Sequence, residues 1–313
     1  MGIAFVFPGQ GSQYVGMGRE FCECFPEAAA IFKSADEALG FPLSRLCFEG
    51  PEEELTKTAN TQPAVLTASV ACLEVFKSMG APVPSAMAGH SLGEYTALVA
   101  AGSISFADAV RLVRKRGRYM QEAVPLGAGG MAAVMGLSGD AVAEVCEKAS
   151  SFGIAEAVNL NCPGQVVIAG DVEGLKAAEY EARKAGAKRF FRLPVSAPFH
   201  SSLMKSAGER LAGDLEGVDV KEPGVPVVAN VSARFLRTSS EVKESLIRQV
   251  YNPVRWEESV RFLLQAGIKT FVEIGPGKVL SGLIKKISRD ALVFNIEDKS
   301  SLEKVLALTW EVS

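Results

Sequence analysis

Gly89-His90-Ser91-Leu92-Gly93 sets a serine between glycines two residues to either side, the spacing of a nucleophile elbow, where a strand turns sharply into a helix. Only on such a turn does the hydroxyl stand clear of the sheet with a helix N-terminus behind it, and glycines at the flanks remove Cβ atoms that would collide with neighbouring backbone. The Leu92 N–H can then face a developing oxyanion, a contribution of about 3 kcal/mol per donor in serine enzymes. A serine hydroxyl is a weak nucleophile without a base in hydrogen-bond reach. The chain has two histidines, His90 and His200. Adjacent side chains on a tight turn diverge, so His90 reads as a structural neighbour and His200 as the base. No acidic residue stands in an obvious third position, which leaves open a dyad whose imidazole is oriented by a backbone carbonyl or an amide, or a full triad.

Arg116 is the second chemical signal. Ser105-x-x-Asp108 caps a helix that runs to about Glu122, ahead of Pro125. At roughly 100° per residue, Arg111, Arg114, Lys115 and Arg118 form an outward cationic stripe, whereas Arg116 projects with Phe106, Ala109, Val113 and Met120. A guanidinium facing a core is costly unless an anion meets it, and its planar fork matches a carboxylate. A structural ion pair, or an arginine snorkelling to the helix edge, is the competing reading. The stripe reads as a solvated face, with an acidic protein partner as the sharper alternative.

The elements that position these groups follow from pattern. Ile3 to Phe7 is a buried strand ended by Pro8-Gly9-Gln10-Gly11, a tight loop able to present Gln10. It is not a dinucleotide fingerprint, because Tyr14 stands where the third glycine belongs. Helical patterning dominates 18 to 79, with breaks at Gly40-Phe41-Pro42 and Gly50-Pro51. Ser85 to Gly89 is short and strand-like, feeding the elbow. Residues 131 to 193 read β-α-β-β-α-β, the order of a ferredoxin-like unit. The predicted architecture is therefore α/β: a large body of residues 1–125 and 196–313 carrying an inserted small domain, 126–195. One continuous sheet without an insertion is the alternative.

Composition narrows the function classes. Of 313 residues, 48% are hydrophobic and 22% charged, a globular balance with enough apolar surface for a large core. The 33 Lys and Arg against 36 Asp and Glu leave a formal charge of −3, so no overall cationic field favours nucleic acid. No apolar run reaches the roughly 18 residues of a membrane-spanning helix, and no cation precedes Arg19 to make a targeting n-region. A cytoplasmic setting is expected. The 6 cysteines contain no C-x-x-C pair and read as reduced, packed thiols, and two histidines make a histidine-rich metal site improbable.

Taken together, the motifs resemble the malonyl-CoA:acyl carrier protein transacylase family. The resemblance runs through Phe7-Pro8-Gly9-Gln10-Gly11-Ser12-Gln13, Thr61-Gln62-Pro63-Ala64, Gly89-His90-Ser91-Leu92-Gly93-Glu94-Tyr95, Arg116-Gly117, Asn161-Cys162-Pro163-Gly164-Gln165, Phe199-His200-Ser201, Tyr251-Asn252-Pro253-Val254-Arg255-Trp256 and Glu273-Ile274-Gly275-Pro276-Gly277. It covers essentially the whole chain. It implies an α/β-hydrolase-like body with the ferredoxin-like insertion, Ser91 as acyl-accepting nucleophile and His200 as its base. It also implies an oxyanion hole from backbone Leu92 and the Gln10 loop, Arg116 as clamp on the malonyl carboxylate, and Gln249 helping to hold the histidine. Phe199 and Leu92 resemble malonyl-selecting variants in which bulk disfavours an α-methyl group. The implied partners are malonyl-CoA, coenzyme A and acyl carrier protein, with no cofactor, nucleic acid or membrane. An esterase or thioesterase acting on acyl-CoA, a component serving a polyketide synthase, and a non-catalytic binding subunit are the rival readings.

Overall fold

The computed structural model describes residues 2–308 except Ser196. The predicted return point at position 196 and the tail 309–313 lie outside the described residues. The strands are β1 (Gly2–Phe7), β2 (Ala86–Gly89), β3 (Gly129–Met135), β4 (Ala155–Cys162), β5 (Gln165–Asp171), β6 (Arg189–Arg192), β7 (Val227–Val228), β8 (Phe235–Leu236), β9 (Ile268–Ile274) and β10 (Leu292–Ile296). Among the described residues they form a six-stranded sheet, β10-β9-β1-β2-β7-β8, and a four-stranded one, β4-β5-β3-β6.

The large sheet is parallel except for the antiparallel edge strand β8. A parallel sheet needs crossovers that cover both faces, so its strands are apolar on both sides. The period-2 alternation of a strand accordingly sends Phe5 and Phe7 into one core cluster and Ala4 and Val6 into another. Phe7 pairs with Gly89 in the β1–β2 register. Two parallel neighbours ending in register must release their following loops at the same edge, which brings the Gln10 loop beside the Ser91 turn. β7, on the other side of β2, ends two residues before Asn230 and contributes to the same edge.

The small sheet is antiparallel throughout. One face of it, with Ala132, Val134, Val166 and Ile168, packs with helices Gly139–Ala149 and Val172–Lys184 in a core of its own. The opposite face, with Met131, Ala133, Val167 and Ala169, joins the main cluster. The sheet therefore forms one wall of the cleft above the elbow.

Helix Phe106–Glu122 begins at the Ser105 cap, whose side chain accepts from Asp108 N. It packs on helix Thr58–Ser78 so closely that a Cβ at Gly117 would sit 2.7 Å from the Thr58 carbonyl oxygen. The stripe on its far side is not free: Arg111 donates to the Ala38 carbonyl, Arg114 covers the Phe41 ring, Lys115 pairs with Asp214 and Arg118 with Glu122. Arg111 and Lys115 tie the helix to helices Pro26–Leu39 and Lys205–Glu216 and Arg114 to Phe41, whereas Arg118 pairs within its own helix, and the stripe stays partly open to solvent.

Candidate active site

The elbow is held by steric exclusion. Ser91 is the N-cap of helix Leu92–Ala100 with φ 52°, ψ −106°, a positive φ that L-residues adopt only when surroundings enforce it. A Cβ on Gly89 would lie 1.9 Å from the Gly93 carbonyl carbon, and one on Gly93 would lie 2.1 Å from the Phe7 oxygen. Asn230 locks the turn from β7's side: its Nδ2 donates to Gly89 O at 2.7 Å and its Oδ1 accepts from Ser91 N at 2.7 Å. The first residues of a helix have no intrahelical acceptor for their N–H groups. No bond from the Leu92 N–H is found among the described residues, and Leu92 lines the serine cavity.

His200 is the partner of Ser91, with Nε2 2.7 Å from Oγ. Its Nδ1 lies 2.7 Å from the Gln249 main-chain oxygen. A carbonyl only accepts, so Nδ1 carries the proton and Nε2 offers its lone pair to the serine O–H. Gln249 closes helix Ser239–Gln249, where backbone carbonyls are left without intrahelical donors and the dipole is negative. That end of the helix supplies what a triad carboxylate supplies elsewhere. Burial, and then the nearby Arg116 cation, pull the His200 imidazole down to about 3, so it waits neutral. His90 turns elsewhere, its Nε2 2.9 Å from Asn161 Oδ1 and its ring against Trp256.

Arg116 is 1% exposed. Its Nη1 donates to Gln62 Oε1 at 2.8 Å, and its Nη2 donates to Gln249 Oε1 at 2.9 Å and to Ser91 Oγ at 3.2 Å. The sequence expected a carboxylate-binding arginine on the inner face, and the guanidinium does reach the serine oxygen. The same geometry refines the expectation for Gln249. Its main chain holds His200, while its side chain is shared between Arg116 and a buried carboxylate, Glu94.

A cavity of about 100 Å³ joins these groups, walled by Gln10, Leu92, Arg116, Met120, Phe199 and His200 with Ser91. Gln10 sits at its mouth, its amide donating to Thr58 Oγ1 at 3.2 Å. Phe199 is 6% exposed and lines this cavity. A second space of about 240 Å³ continues past Gln10, His90, Asn159 and Leu193 towards Phe191 and Leu283. A larger concavity, about 810 Å³ between Thr58 and Leu126, includes neither Ser91 nor His200 and shares Val195 with the serine cavity.

A neutral imidazole bonded to a serine at a helix N-terminus, with a buried cation beside the same oxygen, can form and discharge an acyl ester. The acyl transferase domain family matches residues 4–304. A malonyl CoA-acyl carrier protein transacylase of Bacillus subtilis (strain 168) is 52% identical over 302 residues, 96% of this chain and 95% of its own length. This chain belongs to the malonyl CoA-acyl carrier protein transacylase family. The solved acyl-carrier-protein S-malonyltransferase from Burkholderia pseudomallei 1710b superposes with a TM-score of 0.96 at 49% identity, covering 98% of this chain and 100% of that one. A malonyl-transacylase solved in complex with a type II PKS acyl-carrier protein reaches a TM-score of 0.96 at 46% identity, over 98% of this chain and 99% of its own.

In this transacylase-family chain, sequence reasoning gave no role to three residues that complete the site. Asn230 follows a two-residue strand too short to register as an element. Gln62 lay within a motif, but only the packing of helix Thr58–Ser78 on helix Phe106–Glu122 brings it to Arg116. Glu94 carried a readable signal: it is the single charge in helix Leu92–Ala100, otherwise almost wholly apolar, and such a group must find buried partners. No helix is long and apolar enough to cross a membrane, and no group of three or more potential metal ligands occurs among the described residues.

Proposed function

We propose that this chain transfers the malonyl group of malonyl-CoA to the phosphopantetheine thiol of an acyl carrier protein through a malonyl ester on Ser91. The carrying observation is that one oxygen, Ser91 Oγ, is bonded both to the neutral His200 and to the buried Arg116. As Oγ attacks the thioester carbon, its proton passes to His200 Nε2. The tetrahedral oxyanion faces the Leu92 N–H and the Gln10 loop, then collapses with cleavage of the C–S bond, and the departing sulfur takes the proton from Nε2. The carrier thiol repeats the sequence in reverse. Gln249, through its carbonyl, keeps the imidazole in the tautomer both halves require. Arg116 turns the edge that donates to Ser91 Oγ onto the malonyl carboxylate while keeping its bond to Gln249 Oε1, so its contribution is positioning and selectivity. Phe199 and Leu92 narrow the cavity against α-substituted acyl groups.

The test is a two-stage assay on the purified protein. Malonyl-CoA alone should add one malonyl group to the peptide bearing Ser91 by mass spectrometry, and added carrier should then remove it as malonyl-carrier. Free malonate accumulating without carrier loading indicates a thioesterase instead, and the absence of any adduct in active protein removes the covalent route.

Support for the finer architecture comes from packing. The four antiparallel strands and two helices with their own core fit a ferredoxin-like insertion of residues 126–195 in an α/β-hydrolase-like body of residues 1–125 and 196–313. Native-state hydrogen exchange should show the insertion opening as a unit separate from the large sheet. Six unpaired cysteines suit a reducing compartment such as the cytoplasm.

A further inference from the structure

Arg116 is a fully buried cation, and none of its three hydrogen-bond acceptors is charged: they are Gln62, Gln249 and the Ser91 hydroxyl. A buried charge without a counter-ion is expensive. A direct ion pair would balance it but would occupy the fork that a substrate carboxylate must enter. Glu94 resolves the conflict by standing one amide away. It is 0% exposed, and its Oε2 accepts from Gln249 Nε2 at 2.8 Å and from Asn230 N at 2.8 Å, its Oε1 from Ser245 Oγ at 3.1 Å. Burial raises the Glu94 carboxyl, while the bonds from Asn230 N, Gln249 and Ser245 and the Arg116 charge pull it back towards the anion; that anion only accepts, and a guanidinium only donates. Between them the Gln249 amide has one workable orientation, NH₂ towards Glu94 and oxygen towards Arg116 Nη2.

We infer that Glu94 is the remote counter-ion of Arg116: it balances the buried cation through the Gln249 amide while keeping any fixed carboxylate off the guanidinium edge that meets Ser91 Oγ, where the substrate's carboxylate enters. Glu94 is thus a positioning residue, acting on the clamp through Gln249 and touching no reacting atom. The inference rests on the reading of Arg116 as the malonyl clamp.

The test separates charge from shape. In Glu94→Gln the new amide can set its oxygen where Oε2 stood, keeping the bonds from Gln249 and Asn230, and its NH₂ against Ser245, so mainly the charge is lost. The unliganded variant should melt below the parent. Loading Ser91 with malonate should return most of that deficit, because the substrate carboxylate supplies the missing anion, whereas loading with acetate should return none. The malonyl-to-acetyl ratio of kcat/KM should rise about tenfold. An equal melting deficit in free, acetyl-loaded and malonyl-loaded protein, or an unchanged ratio, overturns the inference. Should Glu94→Gln fail to fold, the charge-conserving double variant Glu94→Gln with Gln249→Glu carries the test. It moves the anion onto Nη2, so the ratio should fall at least tenfold while Ser91 still takes acetate, and an unchanged ratio again overturns it. Failure of the underlying reading is distinguishable, since parent protein without malonyl preference would exclude the clamp itself before any variant is compared.

Discussion

Ser91 and His200 form a pair that is complete before substrate arrives, because the second imidazole nitrogen is already committed to the Gln249 carbonyl. With burial and Arg116 holding the imidazole down to about 3, the base remains neutral well below the ordinary histidine range. The rate of Ser91 acylation by malonyl-CoA should therefore stay nearly level from pH 7 to about pH 5.5, without an inflection near the ordinary histidine pKa of about 6.5. Stopped-flow release of coenzyme A checks this. The linked stability effect has the opposite sense to that of a salt-bridged histidine. The unfolded chain takes up the proton near pH 6.5 and the folded one does not until about 3, so stability falls as pH drops through that window. The loss at pH 5 is on the order of 2 kcal/mol from this group. Urea titrations of the parent and of His200→Asn at pH 7.5 and pH 5 should show a smaller loss in the variant. With Arg116 as the proposed malonyl clamp, Arg116→Ala should lower malonyl transfer by on the order of 10²–10³-fold, from the roughly 3–4 kcal/mol of a desolvated charge-assisted contact. Acetyl transfer should fall much less; equal losses for both acyl groups in a panel assay would falsify the clamp.

The elbow works because three backbone segments occupy one small volume. A single methyl at Gly93 would stand 2.1 Å from the Phe7 oxygen at the end of β1, and neither strand nor helix can retreat without breaking the sheet. Gly93→Ala should cost about 3 kcal/mol or more of stability and abolish Ser91 labelling, measured by chemical denaturation and by mass spectrometry of the acylated peptide. Helix Ser239–Gln249 has the complementary task. Its Thr238–Glu241 capping box fixes where the helix starts, and its length then determines which carbonyl emerges opposite His200. The elements around the elbow were readable from pattern, since alternation and glycine spacing are local. The role of helix Ser239–Gln249 was not, because a carbonyl at a helix end carries no side-chain signature.

Across the molecule, the site lies at the C-terminal edge of β1, β2 and β7, with the small sheet as its far wall and the return segment delivering His200. Ser202 anchors that segment to the small sheet, its backbone N–H donating to Glu156 on β4 at 2.8 Å. The cationic stripe on helix Phe106–Glu122 belongs to this scale. Lys115 meets Asp214 at 2.6 Å with both groups partly exposed, an ion pair that solvent screens to at most about 1 kcal/mol. Lys115→Glu should therefore lower stability by on the order of 1 kcal/mol, through repulsion with Asp214, and leave the KM for carrier within about twofold. Thermal unfolding and a carrier titration check the two halves. Helical periodicity shows which residues share the stripe's face but not which other helices it meets.

Sequence alone determined which serine stands on a strand-to-helix turn, which histidine is its candidate base, the inward arginine and the order of elements, all of which are written in local spacing. Tertiary structure alone decided that a main-chain carbonyl orients His200, that Asn230 locks the turn, and that Glu94 faces Arg116 through one amide. Those contacts join residues up to 155 positions apart, and hydrogen bonds across such separations depend on how helices and sheets dock, which no local pattern encodes.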